Sequence, residues 1–427
     1  MKYFNPANLA IIACPGGDVF ADEVIGHLRS KYRNSRSKTE EKLSNRYNIT
    51  PEQAALHIDL MNRIAIRGTD TRSGNDKNQN DSFKVPVKFT LFPNGEIKSE
   101  ILESIRGKDV YIFQDVENHY PVKFYGDHVV TNLSINDHLM TIFVTIDAVR
   151  QAGAERITLV IPNYPYSRQH KAKGREGLTA SRIGKIFESL GIDTIITLDI
   201  HSRDIMNAFD KLRLENLHAS YQIIQTLTRT EGISLDEDFV VVSPDTGAVD
   251  RNKFYASALK KPLALIYKER DYSIIAKDAS HSNISQIRLL GCVKDKTVFM
   301  ADDLLGTGGT LIKGMKHLKE KGARKIICAI SLPLFSGDAI AHFDEAYKKG
   351  LFYRIIGTNA VYQEEVINRE WYVNVNISKL FAHVISRLHQ NQSVSNLLDN
   401  AAIINRLISK TIITEQQQNE LPFPDSE

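Results

Sequence analysis

Two adjacent carboxylates and a glycine-threonine loop follow an apolar run near residue 300. Asp302 and Asp303 come directly after that run. The loop then consists of Thr307, Gly308, Gly309 and Thr310. Glycines let a backbone approach an anion closely, the N-terminus of a following helix adds favourable partial charge, and carboxylates accept hydrogen bonds from sugar hydroxyls. Either half alone fits a capped turn with solvated aspartates, but together they predict a ribose-phosphate site.

The elements around this loop are a predicted strand and a predicted helix. The segment Val298–Ala301 is short and apolar, as buried strands are. Leu311, Met315 and Leu318 recur at helical spacing and predict a helix over residues 310–321. The loop is therefore expected to join the end of a strand to the start of a helix.

Two cationic segments also follow predicted strands. The loop 164–175 carries four cations, Arg168 among them, and Lys268 and Arg270 end the run that starts at Leu263. Guanidinium groups match phosphate oxygens, and cations delivered onto a substrate neutralise developing phosphoryl charge. Both segments are candidate polyphosphate-binding elements; the alternative for each is an ordinary solvated surface segment.

Single possible metal ligands follow two further predicted strands. His201 comes after the strand 194–198, and Asp245 comes after the strand 239–242. Mg²⁺ prefers oxygen ligands and keeps several waters while it binds substrate phosphates, so one carboxylate and a histidine would be adequate. A lone histidine or aspartate is more often structural, and both readings remain open.

An aromatic residue and polar groups occupy the turn of a predicted hairpin. The turn contains Phe92, Asn94 and Glu96. An aromatic face beside amide and carboxylate groups suits the stacking and edge recognition of a purine. A simple turn explains the same residues.

Predicted strands alternate with helices over most of the chain, which indicates an α/β fold with parallel sheets covered by helices. A helix that ends at glycine and leads into a buried strand occurs twice, at Gly153 and at Gly322. Such a joint is common in α/β proteins, so it supports a tandem of two α/β units only weakly.

The composition is that of an ordinary globular protein. Hydrophobic residues make up 42% and charged residues 25% of the 427 residues, and this length predicts two or three domains. The formal net charge of +3 is too small to indicate a nucleic-acid-binding surface. Three widely spaced cysteines fit a reducing compartment, and the longest apolar run is too short to span a bilayer. We expect a cytoplasmic protein with no nucleic-acid or membrane partner.

Two regions lack the pattern of a packed domain. Between Arg33 and Phe83, charged and small polar residues dominate, apart from a moderately amphipathic piece over 51–66. Within this region, Gly68–Ser82 is almost devoid of apolar residues and is expected to be a mobile loop. The tail 413–427 is expected to be disordered for the same reason.

In this order and spacing, the motifs resemble those of the ribose-phosphate diphosphokinase family, whose members are also called phosphoribosyl diphosphate synthetases. The resemblance covers about residues 88–410 and includes the segments 106–112, 136–140 and 393–395. It implies two tandem phosphoribosyltransferase-like domains, each a mostly parallel sheet flanked by helices.

The resemblance also predicts domain boundaries. The N-terminal domain is expected over residues 1–217, with an insertion at about 33–83. The C-terminal domain, which carries the ribose 5-phosphate loop, is expected over 218–387. The segment at about 388–412 is expected to pack back on the N-terminal domain.

The reaction implied by the resemblance is transfer of the β,γ-diphosphate of ATP to the anomeric hydroxyl of ribose 5-phosphate, with Mg²⁺, for nucleotide biosynthesis. The products are 5-phosphoribosyl 1-diphosphate and AMP. The family forms homo-oligomers, hexamers assembled from dimers. The alternatives are a non-catalytic or regulatory homologue and a phosphoribosyltransferase that uses phosphoribosyl diphosphate.

Carried over by position, the resemblance gives each candidate residue a role. Ribose 5-phosphate would bind to Asp302, Asp303, Thr307, Gly308, Gly309 and Thr310. ATP would bind to Phe92, Asn94 and Glu96 across a subunit boundary, and to Arg168 and Gln169. Magnesium would bind to His201 and Asp245. Lys268 and Arg270 would be catalytic, and an allosteric effector would bind Arg106, Ser393 and Ser395.

Three residues depart from the family's usual pattern. Gly306 stands where an acidic residue is usual, His170 where an aspartate is usual, and Ala248 where a glycine is usual. The insertion at about 33–83 is a fourth departure. Because Lys268 and Arg270 are retained, an active synthetase is favoured over a non-catalytic homologue.

Overall fold

The computed structural model describes residues 6, 8–65, 83–126, 129–130, 133–172, 174–235, 238–270, 284–398 and 401–409. The predicted loop Gly68–Ser82 and the tail 413–427 lie outside these residues. Backbone contacts group the chain into two compact units. Of the described residues, the first unit contains those up to Leu217 together with 360–362 and 377–398, and the second contains those of 218–359 together with 363–376 and 401–409.

The first unit is built on a five-stranded parallel sheet. Its strands, numbered in chain order and given in spatial order, are β1 (Leu9–Ala13), β4 (Asp109–Phe113), β7 (Arg156–Val160), β8 (Thr194–Leu198) and β9 (Arg213–Leu217). β1, β4 and β8 are buried along their whole length, which explains their mostly apolar sequences. The pairs β2 (Val87–Leu91) with β3 (Ile97–Ile101), and β5 (Val122–Lys123) with β6 (Val129–Val130), form separate ribbons.

The helices of the first unit include the capped helix α3. They are α1 (Asp18–Tyr47), α2 (Pro51–Ala65), α3 (Ile135–Gln151), α4 (Thr179–Ser189), α9 (Ser378–His389) and α10 (Ser395–Leu398). At the start of α3, Ser134 and Asp137 each accept a hydrogen bond from the other's backbone N–H, a capping box. The helix then ends before Gly153, which has a φ of 80° and leads into β7 as predicted. No helix in the described part of the chain is both long and apolar enough to cross a membrane.

The second unit is built on a seven-stranded sheet. Its strands in spatial order are β12 (Ile284–Leu290), β11 (Leu263–Arg270), β10 (Phe239–Ser243), β13 (Thr297–Leu305), β14 (Lys325–Pro333), β15 (Arg354–Thr358) and β16 (Tyr372–Val375). Every neighbouring pair is parallel except β11 with β12. The helices that accompany it include α5 (Ser220–Leu227), α6 (Val249–Leu259), α7 (Gly309–Glu320) and α8 (Ala339–Lys348).

The direction in which the chain crosses this second sheet reverses between β10 and β13. From β10 the chain passes to β11 on one side, whereas from β13 it passes to β14 on the other side. Open parallel sheets bind ligands outside the carboxyl ends of the strands at such a switch point. The segments that follow β10 and β13 are therefore the first place to seek a site.

The charged region after Arg33 is helical as far as Tyr47, which the sequence analysis did not predict. Helix α1 ends only at Asn48, whose φ is 52°. Arg36 bonds Glu40 one turn along α1 (Nε–Oε1 2.8 Å) and Asp59 of α2 (2.8 Å). Lysine, arginine and glutamate are good helix formers, and such ion pairs support a helix without the apolar period that marks a packed one. The amphipathic piece expected over 51–66 is helix α2.

Helix α9 packs on α1 within the first unit. Phe20 and Phe381 meet edge to face with ring centroids 5.0 Å apart, and Lys31 donates a hydrogen bond to Ser386. Residues 378–387 were expected in the C-terminal domain, whereas backbone contacts group them with the first unit. Burial of the apolar face of α9 against α1 accounts for the difference. The helical residues 401–409 group with the second unit, although 388–412 was expected to pack on the first.

A buried ion-pair network joins α9 to the first sheet. Asp109 and Arg156 begin neighbouring strands and stand opposite each other in the ladder, with Arg156 Nε 2.8 Å from Asp109 Oδ1. His389, the last residue of α9, places Nδ1 2.8 Å from Asp109 Oδ2, to which the Tyr111 hydroxyl also donates at 3.2 Å. Burial by itself would raise the pKa of Asp109, but the hydrogen bonds from Arg156 and His389 outweigh it and hold that pKa below its ordinary value.

Candidate active site

Strand β13 is longer than predicted and contains both candidate aspartates. It pairs with β14 as far as Leu305, so Asp302 and Asp303 lie within the strand and only residues 306–308 connect it to α7. The expectation that the strand ends at Ala301 was wrong. Aspartates have a low strand propensity, and pairing with the buried strand β14 overrides it.

The short loop between β13 and α7 depends on Gly308. This residue caps α7 with a φ of 72°, in the left-handed region that favours glycine. A Cβ at this position would lie 2.2 Å from Cε2 of Phe343 in α8. Phe343 is fully buried and packs against Phe335 and Trp371. The aromatic cluster therefore fixes the path of the loop, and only glycine fits at its end.

The N-terminus of α7 is accessible beside this loop. The first N–H groups of a helix have no partner within the helix and carry positive partial charge. The N-cap residue is a glycine, so no side chain caps them. Thr307, Gly309 and Thr310 are exposed, and a Cβ added to Gly309 would meet nothing within 4 Å. A phosphate group can therefore reach this end of the helix and is attracted by its positive partial charge.

Three carboxylates interact at the switch point of the second sheet. Asp245 follows β10, while Asp302 and Asp303 lie in the neighbouring strand β13. Burial raises the pKa of Asp302 well above its ordinary value, and the charges of Asp303 and Asp245 add to the rise, whereas Arg251 opposes it. Hydrogen-bond donors such as sugar hydroxyls, or a bound cation, would relieve this repulsion.

The Asp245 side chain closes the turn before α6. Its Oδ1 accepts hydrogen bonds from the backbone N–H groups of Gly247 and Ala248, both at 3.0 Å. Ala248, one of the departures from the family pattern, supplies the same backbone donor that glycine would. The substitution therefore leaves this contact in place.

Two residues of α6 that the sequence analysis overlooked position the aspartates. Asn252 is fully buried; its Nδ2 donates to the Ala301 carbonyl at 2.8 Å and its Oδ1 accepts from the Ala301 N–H at 2.9 Å. It thereby bonds both backbone groups of the residue before Asp302. Arg251 lies 4.0 Å from Asp303. Asn252 could have been recognised in the sequence as a polar residue on the apolar face of a helix. It shares the buried face of α6 with Tyr255, Ala256 and Leu259.

In the first unit, His170 and His201 come together beyond the carboxyl ends of β7 and β8. Their rings pack edge to face with centroids 5.2 Å apart. The chain turns sharply at Asp199, whose φ is 41°, and this turn leaves His201 exposed. Burial lowers the pKa of His170, and the charges of His201 and Lys171 lower it further. The departure at residue 170 therefore contacts a candidate metal ligand.

The side chains of Arg168 and Gln169 are exposed in the same loop. The Gln169 N–H donates to the Tyr166 carbonyl at 2.8 Å, and Tyr166 has a φ of 56°. Glu117 is a neighbour that the sequence analysis missed. Burial raises the pKa of Glu117, while the charge of Arg168 and a hydrogen bond from Asn163 oppose that rise.

The hairpin β2–β3 is present as predicted. In its turn, the Phe92 N–H donates to the Glu96 carbonyl at 2.8 Å, and Gly95 has a φ of 90°. The Asn94 side chain accepts from the Glu96 N–H at 3.2 Å. Because Phe92 is 42% exposed, its ring is accessible for stacking against a planar ligand.

Lys268 and Arg270 lie in β11, the strand next to β10. Their backbones pair with Ile287 and Ile284 of β12, and the ladder shifts register between Glu269 and Arg270. The two residues therefore end a paired strand that neighbours β10, one of the two strands at the switch point.

The candidate effector residues lie in the first unit. The Ser393 and Ser395 hydroxyls are 2.9 Å apart, and Arg387 donates to the Ser393 carbonyl at 2.7 Å. Arg106 packs beside the turn at Gly153, where an added Cβ would lie 3.2 Å from its guanidinium.

The donor set at the switch point fits magnesium carried by a polyphosphate. In the described ranges, no three histidine, cysteine, aspartate or glutamate side chains converge into a protein-only metal site. Mg²⁺ characteristically uses one or two carboxylates together with waters and substrate phosphates. Mutually repelling carboxylates such as Asp245 and Asp302 match that requirement.

The parallel sheets, the switch point and the glycine loop define a protein of the phosphoribosyltransferase class. Residues 78–191 match the family model of the N-terminal domain of ribose phosphate pyrophosphokinase. Residues 212–363 match the model of the phosphoribosyl transferase domain. Both units therefore have the fold that the sequence analysis predicted.

Individual relatives narrow the class to one family. Ribose-phosphate pyrophosphokinase A of Dictyostelium discoideum is 34% identical over 310 residues, which is 72% of this chain and 88% of the relative. The ribose-phosphate pyrophosphokinase of Nostoc sp. is 32% identical over 314 residues, 73% of this chain and 86% of the relative. The crystal structure of phosphoribosylpyrophosphate synthetase from Mycobacterium smegmatis covers 90% of this chain and 99% of its own, with 25% identity and a TM-score of 0.64. This chain belongs to the ribose-phosphate pyrophosphokinase family.

Proposed function

We propose that this protein transfers the β,γ-diphosphate of ATP to the anomeric hydroxyl of ribose 5-phosphate, forming 5-phosphoribosyl 1-diphosphate and AMP for nucleotide biosynthesis. The observation that carries the proposal is the uncapped N-terminus of α7 together with the carboxylates of β13 and of the turn after β10. A sugar phosphate matches both features, because its phosphate suits the helix N-terminus and its hydroxyls suit the carboxylates. Membership of the family supports the reaction class.

Ribose 5-phosphate binds with its phosphate against the first turn of α7. Thr307, Gly308, Gly309 and Thr310 surround the phosphate, and the backbone supplies the donors. The ribose hydroxyls donate to Asp302 and Asp303. Asp302 Oδ1 also accepts the Asp303 backbone N–H at 2.9 Å, which orients the carboxyl group.

ATP binds through residues of the first unit, with the hairpin residues contributed across a subunit boundary. Phe92 stacks on the adenine while Asn94 and Glu96 contact its edge, and Arg168 and Gln169 contact the phosphates. His201 and Asp245 are each proposed as magnesium ligands, and the ion would neutralise phosphate charge when bound. These assignments follow the family's motifs, and exposure of the five ATP-contacting side chains supports them.

Lys268 and Arg270 stabilise the charge that develops at the β-phosphorus. Phosphoryl-type transfer depends on positioning and electrostatic stabilisation more than on a covalent nucleophile. The attacking group is a hydroxyl of the bound sugar, so the protein's main task is to align it with the diphosphate.

The enzyme is expected to be cytoplasmic and to form homo-oligomers. In keeping with its family, these would be hexamers assembled from dimers. Arg106, Ser393 and Ser395 form the proposed effector site. The hydroxyl pair of the two serines offers donors to an anion. Activity that responds to inorganic phosphate or ADP beyond competition with ATP would support this assignment.

The test is direct. Purified protein is incubated with ATP, Mg²⁺ and ribose 5-phosphate, and formation of AMP and phosphoribosyl diphosphate is followed by chromatography. AMP that appears only with ribose 5-phosphate supports the proposal. AMP formation without the sugar, or consumption of phosphoribosyl diphosphate together with a free base, would replace the proposed reaction with another.

Gly306 is expected to be secondary for sugar-phosphate binding. Its φ is not in the left-handed region, and its carbonyl accepts the Ser336 N–H at 3.2 Å, a contact any residue can make. We predict that Gly306→Asp changes the Kd for ribose 5-phosphate by less than about threefold, because an acidic side chain removes no backbone donor. Asp303→Ala and Thr310→Ala should weaken binding by about tenfold, the usual loss of a hydrogen bond to a charged group.

Calorimetric titration with ribose 5-phosphate measures all three variants, and Thr226→Ala, at a partly buried position remote in sequence from the loop, is the control. Binding that appears only in Gly306→Asp would contradict this account. It would indicate a subunit whose natural glycine has abolished the site.

A further inference from the structure

Two histidines meet in the first unit, beyond the carboxyl ends of two neighbouring strands. His170 lies in the loop after β7, and His201 follows β8. Their ring centroids are 5.2 Å apart, and the ring planes meet at 68°. Because residue 170 departs from the family pattern, imidazole nitrogen stands here where a carboxylate oxygen is usual. The pair therefore changes the kind of ligand atom that this part of the site offers.

The loop that carries His170 is anchored on helix α4. The hydroxyl of the buried Tyr164 donates to the Ala180 carbonyl at 2.9 Å, and the Ala180 N–H donates to the Gln169 carbonyl at 3.3 Å. One residue of α4 thus holds the loop at two points before His170. The Nδ1 atom of His170 is buried, whereas the residue as a whole is partly exposed. Nε2 is therefore the ring nitrogen that an external ligand can reach.

The turn that carries His201 is held by the neighbouring strand β9. The Asp199 N–H donates to the Leu217 carbonyl at 2.8 Å. The Ile200 N–H donates to the side-chain oxygen of Asn216 at 2.9 Å. These bonds fix the backbone directly before His201, while His201 itself is exposed. Both histidines thus extend from anchored backbone and remain accessible.

The separation of the two rings matches that of two imidazoles bound to one metal ion. With metal–nitrogen bonds of about 2.1 Å and bond angles between those of octahedral and tetrahedral sites, the centres of two ligating rings lie about 5 Å apart. The observed separation is 5.2 Å. In the part of the chain that the structure describes, no third histidine, cysteine or carboxylate completes a protein-only site. Water and substrate oxygens would therefore fill the other positions around an ion.

The charged neighbours of the pair are compatible with an ion that carries a phosphate. Lys171 follows His170, and its Nζ lies 3.5 Å from the Asp204 carboxylate, which offsets part of its charge. Arg168 is exposed two residues before His170. A guanidinium group matches phosphate oxygens, so the same loop can bind a phosphate beside the two imidazoles.

Imidazole nitrogen and carboxylate oxygen favour different classes of ion. Mg²⁺ is a hard cation that prefers oxygen, whereas imidazole suits the later first-row transition ions. We propose that His170 and His201 together bind one divalent transition-metal ion, with water and the phosphate oxygens of the nucleotide as its other ligands. The inference rests on the proposed function for the nucleotide, but the two imidazoles define the class of ion without it. His201 alone remains available as the magnesium ligand assigned above.

The experiment titrates the full-length protein with Co²⁺ alone, followed by calorimetry and by NMR. Co²⁺ is paramagnetic, so the imidazoles that ligate it give signals far outside their ordinary range. We expect the signals of His170 and His201, assigned with His170→Gln and His201→Gln, to shift together during one titration step. His170→Asp should weaken Co²⁺ binding by at least about tenfold, because even the loss of a group that supports a metal ligand costs about that much affinity.

His342→Gln, which removes an exposed histidine of α8 in the second unit, is the control and should leave this titration step unchanged. Equal Co²⁺ affinities of the His170→Asp and His342→Gln proteins would overturn the proposal, as would a shifted signal of His201 without one of His170. Because His170 is partly exposed, its variants are expected to remain folded, which thermal melting verifies.

A second measurement compares the two classes of ion directly. Competition calorimetry gives the ratio of Co²⁺ to Mg²⁺ affinity, and this ratio should fall in His170→Asp, because an imidazole is replaced by a carboxylate. An unchanged ratio would also overturn the proposal. AMP formation with Mg²⁺ is followed in a separate assay, so a failure of the proposed function is distinguished from a failure of the histidine pair to bind metal.

Discussion

Replacing either Lys268 or Arg270 with alanine is expected to lower turnover by about a hundredfold or more, the usual effect of losing one group that stabilises transition-state charge. Both residues end strand β11, paired with β12. Because their proposed role is specific to the developing charge at the β-phosphorus, kcat should fall more than the KM for either substrate rises.

The measurement is a coupled AMP assay on purified variants with unchanged melting temperatures. Lys348→Ala, in the last turn of α8 and exposed, is a matched loss of one positive charge in the same unit and should keep normal turnover. The pair Lys268→Arg and Arg270→Lys separates charge from geometry, because a guanidinium fork and an ammonium are not interchangeable at a bidentate contact. Near-normal turnover of both alanine variants would remove these residues from the mechanism.

Replacing Asp109 with asparagine is expected to lower the free energy of unfolding by about 3 kcal/mol, because it leaves Arg156 partly buried without its counter-charge. The value is at the low end for a buried pair, since the Arg156 side chain is 29% exposed. Asp109 also bonds His389, so the variant should loosen α9 from the sheet before the rest of the unit unfolds.

The pH dependence of stability follows from the same carboxyl group. Its pKa is lower in the folded protein than in the unfolded chain, so its stabilisation is complete above the unfolded pKa, near 3.9, and is lost as the pH falls through the folded value. The natural protein should therefore lose stability below about pH 4 more steeply than Asp109→Asn does.

Urea denaturation at several pH values measures both effects, and hydrogen exchange of α9 measures the local one. Asp147→Asn on the exposed face of α3 is the control for an aspartate in the same unit. Equal stability of Asp109→Asn and the natural protein at pH 7 would show that the network contributes no net stability and that its desolvation cost cancels its attraction.

Much of the fold followed from local patterns. The helix–glycine–strand joints at Gly153 and Gly322, the hairpin at Phe92–Glu96 and most of the buried strands were predicted correctly, because each depends on residues adjacent in the chain. Family membership was also visible in motif order. The long helix α1 was missed because its outer half is supported by ion pairs instead of an apolar face.

The sequence by itself determined which residues could hold a phosphate and a sugar: glycines and threonines before a helix, and two aspartates after an apolar run. Only the tertiary structure decided that the aspartates lie inside β13, that Phe343 makes glycine necessary at residue 308, and that Asn252 secures the backbone at Ala301. It also packed helix α1 against helix α9, which lie far apart in the chain. Local propensity acts between neighbours in sequence, whereas ladder pairing, ring packing and electrostatic repulsion act between residues that only the folded backbone brings within a few ångströms of one another.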